Sequence, residues 1–238
     1  AIVCTSDYQK GFLYKGSGPL QLLKDMYSSY LDKCKSLFHV IDYLPMDGSL
    51  QQMYQISPSY VLQPEACLIP FITDDFLEKA VYPQIPQRET FIRQASFLLR
   101  ENKKLLTPGH FSIYFTLPGL KQFLDTGRIY EIPEEVYRPL LPEERKALLE
   151  AMLSYCQKGI YRLLKRPLNQ LTANLHLVVN HSMGYLLFRD IRGQILCLTF
   201  NEPSLINTFL DYVENLKDGH LYSGEETAQM VQKLIDAL

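Results

Sequence analysis

Residues 196–216, LCLTFNEPSLINTFLDYVENL, decide the fold class. The opening Leu-Cys-Leu-Thr-Phe is an apolar run with the composition of a strand. Asn201-Glu202-Pro203 ends it. An amphipathic segment follows at once, with Ile206, Phe209, Leu210 and Val213 at helical spacing. Pro203 fits a first helical turn, where a missing N–H costs little. Glu202 fits the positive end of the same helix. The stretch therefore reads as a strand, a turn and a helix.

Working outward, NLHLVVN (174–180) and GYLLFRD (184–190) are two further strands separated by His181-Ser182-Met183. RGQILCLTF continues the pattern, and SGEETAQMVQKLIDAL closes the chain with a helix. Its Ser223-x-x-Glu226 is a capping box. The last third is β-β-β-α-α. Near the start, GFLYKG (11–16) predicts a strand, Pro19 to Cys34 a helix, and LFHVIDYLPM (37–46) a buried strand, the order of a parallel βαβ unit. The middle predicts a helix after the N-cap Thr73, a helix over 87–106, a strand over 111–116 and a short helix ended by Gly127. A long helix is predicted in LLPEERKALLEAMLSYCQKGIYRLLK. SLQQMYQISPSYVLQPEACLIPF (49–71) reads as an irregular wrap around the sheet. The expectation is an α/β fold: a mixed β-sheet flanked by helices, with an N-terminal βαβ unit and a C-terminal β-β-β-α-α segment, forming one domain over 1–238.

The chain has 238 residues, 47% hydrophobic and 21% charged, the balance of a folded protein with a sizeable core. A net charge of −2 and scattered Lys and Arg argue against a free-standing nucleic-acid binder. The five cysteines show no CxxC and no regular spacing. Cys34, Cys156 and Cys197 read as buried thiols, which points to a reducing, cytoplasmic compartment. No run reaches the roughly 18 apolar residues of a membrane span. The chain opens on Ala1 within an apolar segment, so it is expected to be a fragment whose N-terminal part is missing.

Motifs that carry chemistry are missing. The sequence has no Gly-rich phosphate loop, no HExxH and no GxSxG. No cofactor and no metal are expected. Asp42 and Glu202 stand at the ends of predicted strands, where ligands of open α/β sheets bind. Asn180 and His181 stand in the turn between two strands. Local turn and capping chemistry accounts for all of these residues as well. The surviving expectation is an effector pocket at the strand ends, lined by Asp42, Asn180, His181, Asn201 and Glu202, with no catalytic residue.

Two stretches carry a family resemblance: residues 119–153, GLKQFLDTGRIYEIPEEVYRPLLPEERKALLEAML, and residues 175–235. Together they resemble the C-terminal half of Gram-positive transcriptional regulators that carry a Cro-type helix-turn-helix at the N-terminus. The resemblance covers about half of the chain well and the rest in outline. It implies a non-catalytic effector-sensing or dimerisation domain, homodimeric, answering a small molecule or a protein. DNA would be bound only through an N-terminal domain absent from this chain, and no membrane is implied. The layout of GFLYKGSGPLQLLKDMYSSYLDKCKSLFHVIDY also resembles the opening of phospholipase-D-like domains. Active members pair HxK with an Asp, and no histidine here has Lys two residues on, so a degenerate, inactive copy is implied. The competing readings are a phosphoesterase- or hydrolase-like domain, which needs Asp42, His181 or Glu202 to converge, and a binding module of another assembly.

Overall fold

Ser59–Leu62 (β4) is the strand on which the main sheet is built. All four of its side chains are buried. Burial on both faces removes the in–out alternation that marks an ordinary half-buried strand. A computed structural model describes residues 2–4, 11–13, 18, 21, 24–25, 39–41, 53–166, 176–189, 195–217 and 219–238. The chain divides into two compact units, Ala1–His39 and Val40–Leu238.

In the first unit, β1 (Ile2–Cys4) and β2 (Gly11–Leu13) form a two-stranded antiparallel sheet with Ile2 opposite Leu13. Gly18, Gln21, Lys24 and Asp25 are helical. Gln21 donates to Asp25 one turn on, at 2.8 Å. The predicted strand, helix and strand thus occur in order, but β2 and β3 (His39–Ile41) do not share a sheet. The expected βαβ unit is corrected on this point: β2 is used up by a hairpin partner, Ile2–Cys4, that the sequence pattern did not single out as a strand.

The seven-stranded sheet has the order β3-β9-β8-β7-β4-β5-β6, with β5 (Phe111–Phe115), β6 (Tyr161–Leu163), β7 (His176–Val179), β8 (Gly184–Arg189) and β9 (Ile195–Phe200). β4, β5 and β6 run parallel. β7, β8 and β9 continue the sheet as an antiparallel meander from β4. This is a mixed sheet, as expected, with the meander where the sequence predicted it. The parallel crossovers lie in the middle of the chain. One runs from β4 through α1 (Asp74–Ala80) and α2 (Arg88–Lys104) to β5. The next runs through α3 (Leu117–Thr126) and α4 (Pro142–Gln157) to β6.

Local chemistry fixes the helix ends. Thr73 Oγ1 accepts from the Phe76 N–H at 3.3 Å and starts α1. Gly127 ends α3 with φ 66°, a left-handed conformation that suits glycine. Gly159, at φ 73°, follows the end of α4, and Tyr161 and Leu163 then alternate inward as β6. The predicted helix through GIYRLLK is therefore a helix, a turn and a strand. Ser223 and Glu226 form the predicted capping box of α6 (Gly224–Ile235).

Register places one row of side chains on one face of the sheet: Tyr161, Ile113, Val61, Val178, Tyr185 and Thr199, one from each of six strands. The 3-10 turn Ile69–Phe71 and α2 lie over this row, and α1 packs on α2. On the other face lies α5 (Pro203–Lys217), which packs Ile206, Leu210, Val213 and Leu216 inward against β4 and β7. Tyr60 anchors it: its hydroxyl donates to Glu214 at 2.9 Å and accepts from Lys217 at 3.1 Å. Burial pulls the Lys217 ammonium down, but the hydrogen bonds to Tyr60 and Glu214 outweigh it and raise its pKa to about 12. α6 packs on α4 and β6. The apolar faces of α5 and α6 are thus turned toward the fold. No helix among the described residues is long and apolar enough to cross a membrane.

Candidate functional site

Four side chains of the row just described, Val61, Ile113, Val178 and Tyr185, form one wall of a cavity of about 70 Å³. Its remaining walls bring polar groups from separate parts of the chain: Tyr54, Gln63 just past β4, Cys67, Asn102 on α2, and Glu131. A second cavity, of about 80 Å³, adjoins it between the 3-10 turn, α1 and α2. The two share Tyr54, Ile69 and Asn102 as walls. The second is lined almost wholly by aliphatic and aromatic side chains, among them Phe76, Leu77, Phe91, Ala95 and Leu99. A mostly apolar, concave space with a few convergent polar groups is the usual form of a small-molecule site.

The polar groups are held by the fold. Gln63 N–H donates to Tyr114 O at 3.0 Å, which extends the β4–β5 pairing by one residue. The segment after it is clamped by α3: Thr116 N and Oγ1 both donate to Pro64 O, at 2.8 and 2.9 Å. Gly119 lies so close that a Cβ there would stand 2.2 Å from the Pro64 carbonyl atoms. Glu65 accepts from the Tyr130 N–H at 3.1 Å and stands 3.7 Å from His176, whose ring stacks on Tyr130 with centroids 3.7 Å apart. Tyr161 donates to Cys67 O at 2.7 Å. The loop that carries Gln63 and Cys67 is thus fixed from three directions.

Inside the cavity, the Tyr54 and Tyr185 hydroxyls meet at 2.7 Å. Burial pushes both phenols above their ordinary range. It also pushes the Cys67 thiol well up, and the Glu131 carboxyl adds to this, against the weaker pull of the Gln63 amide. Burial thus favours the protonated forms of this thiol and these phenols. Cys156 lies elsewhere in the core and is raised to about 12 by burial. Gln63 Nε2 and Asn102 Oδ1 are buried without a hydrogen-bond partner. The sulfur beside Gln63 is only a weak acceptor. No described residue lining either cavity is Lys, Arg or His. Among the described residues, no group of three or more His, Cys, Asp or Glu is placed to hold a metal.

The strand-end residues are placed differently. Val179 pairs Gly184, which pairs Phe200, so Asn180, His181, Asn201 and Glu202 do lie at one end of the hairpin. Asn180 is 0% exposed. Its Oδ1 accepts from Ser182 N at 2.9 Å and Met183 N at 3.1 Å, and its Nδ2 donates to Met53 O at 3.1 Å. This amide is spent on the turn and on the core. His181 and Asn201 are exposed. Glu202 accepts from Ser204 Oγ and, at 2.8 Å, from Leu205 N. These bonds, Ser204 first, hold its carboxyl below the usual range. Glu202 therefore acts as the cap of α5. Asp42 lies outside the described residues.

No described protein family matches the chain, and no curated protein matches it. Among solved structures, it is similar to one described as "Structure of TrmBL2, an archaeal chromatin protein, shows a novel mode of DNA binding", with a TM-score of 0.35 and 8% identity. The match spans 92% of this chain and 75% of that one. A likeness of that size carries no argument about this chain.

Proposed function

We propose that the unit Val40–Leu238 is a ligand-sensing domain that works without catalysis, the regulatory part of a transcription regulator. The observation that carries the sensing role is the pair of adjoining cavities, largely apolar, with polar groups converging from β8, α2 and the loop after β4. What supports the non-catalytic reading is the protonated state of the buried thiols and phenols and the capping role of Glu202. What supports the regulatory setting is the resemblance of residues 119–153 and 175–235 to the rear half of helix-turn-helix regulators. A ligand that binds only the folded chain stabilises it by RT ln(1 + [L]/Kd), about 2.7 kcal/mol at a hundredfold excess over Kd.

The test is a thermal-shift screen of small lipophilic compounds on the 238-residue chain, repeated on Ala95→Leu, which fills the apolar cavity. At least one compound should raise the melting temperature saturably, and the substitution should abolish that rise. Turnover of an ester or phosphodiester panel, with no compound stabilising the fold, would overturn the reading.

A further inference from the structure

The walls of the two cavities specify a chemical class. We infer that the site takes a neutral one-ring or similarly small molecule that carries a hydrogen-bond acceptor and donor on an apolar body, as a primary amide or an alcohol does. The inference rests on the ligand-sensing reading above. Size comes first. The cavities measure about 70 and about 80 Å³ and share three wall residues. Together they approach the roughly 150 Å³ apolar cavity that accepts benzene in an engineered protein.

Charge comes second. With no Lys, Arg or His in either described lining, an anion would lose its hydration and gain no counter-charge, which a low-dielectric interior does not tolerate. Glu131 is the one acidic wall residue, so the wall offers counter-charge to a cation and none to an anion, and benzylammonium is the probe that separates a neutral class from a cationic one. Neutral ligands need no counter-charge.

Polarity comes third. A neutral side-chain amide in the wall, 3% exposed, has beside its N–H only the Cys67 sulfur, a weak acceptor: Gln63 Nε2. Asn102 Oδ1 offers an acceptor with no donor. Buried groups of this kind are rarely left unmatched in native folds. The Tyr54–Tyr185 pair is already satisfied within itself, so Gln63 and Asn102 are the wall groups that gain most from a ligand. A ligand carbonyl or hydroxyl oxygen accepts from Gln63, and a ligand N–H or O–H donates to Asn102. The ring or alkyl body then fills the apolar cavity beside Ala95 and Leu99.

The experiment is calorimetric titration of the full chain with benzamide, benzyl alcohol, benzoate, benzylammonium and toluene. Benzamide and benzyl alcohol should bind at least about tenfold more tightly than the two ions and than toluene, the margin of one good buried hydrogen bond. Gln63→Leu should lose about tenfold for benzamide and leave toluene unchanged. Asn102→Leu, at a partly exposed position, gives the same comparison if the first variant does not fold. Tightest binding by benzoate, by benzylammonium, or by toluene equally with benzamide would overturn the assigned class while leaving the ligand-sensing reading intact. Failure of every probe at about 1 mM, toluene included, would remove both.

Discussion

Replacing Asn180 by Ala separates a turn residue from a ligand residue. The wild-type amide makes three hydrogen bonds of good length: two accepted from the Ser182 and Met183 N–H groups and one donated to Met53 O. A fourth contact, to Ser59 Oγ at 3.5 Å, is at the limit and adds little. Each good bond contributes about 1 kcal/mol net. Two features reduce the sum. Ser182 is exposed, so water can replace the amide at its N–H. Met53 O also accepts from Ile56 N at 3.0 Å and keeps that bond. The expected loss is about 2–3 kcal/mol, or roughly 5–10 °C in melting temperature for a domain of this size. The chain contains no Trp, so urea unfolding is followed by far-UV circular dichroism. His181→Ala, next door and exposed, should stay within about 0.5 kcal/mol of wild type. An Asn180→Ala variant as stable as the His181 variant would refute the account of the turn. If that variant instead lost ligand affinity, Asn180 would belong to the binding site.

Two further outcomes follow from packing and charge. Gly119→Ala should cost about 3 kcal/mol or more in urea unfolding, because its Cβ would stand 2.2 Å from Pro64 backbone atoms and either α3 or the Gln63–Cys67 loop must move; Gly109→Ala, which meets open space at φ 83°, should cost only the smaller strain of a left-handed alanine. The third concerns Glu144, which pairs with Arg138 through two hydrogen bonds, at 2.8 and 2.7 Å, and also accepts from Leu141 N at 2.8 Å. Arg138 first, and then the Leu141 N–H, hold its carboxyl below the ordinary range. A depressed carboxylate contributes stability above its unfolded pKa and loses it as pH falls through the folded one. Glu144→Gln should therefore be less stable than wild type at pH 7, and the gap should close on acidification below about pH 4.3. A gap that is constant from pH 7 to pH 3 would refute the assignment.

The parts of the fold legible in the sequence are those whose burial is one-sided or whose ends carry caps. α2, α5 and α6 show their inward faces at helical spacing. Thr73, Gly127 and Ser223 mark helix ends through bonds a reader can anticipate. β4 was hidden because burial on both sides erases alternation, and because the prolines at 58 and 64 suggest a loop. β6 was hidden because GIYRLLK continues the apolar spacing of α4. Only the left-handed Gly159 shows that the helix has stopped. The candidate site was less legible still. Tyr54, Gln63, Cys67, Asn102, Glu131 and Tyr185 belong to no motif and meet only when the helix, the loops and the sheet pack together. The available signals were a polar Gln63 directly after an apolar run and an abundance of tyrosines, sixteen in all, whose hydroxyls can line a pocket. Asn180 and Glu202 stood out in the sequence because turn and cap residues have strong local signatures, and local work is what the structure gives them.

The position of β4 in the middle of the sheet has a consequence during synthesis. Its parallel partner β5 emerges from the ribosome about 50 residues later, but its antiparallel partner β7 begins only at His176, roughly 110 residues after β4 ends. At about 5–20 residues per second, the β7 side of β4 waits roughly 5 to 20 seconds with its N–H and C=O groups unpaired. Such an edge, apolar on both faces, is a template for another chain. The nascent protein therefore passes through a window in which shielding by a chaperone, or slow local collapse of α1 and α2 over the strand, decides between folding and aggregation.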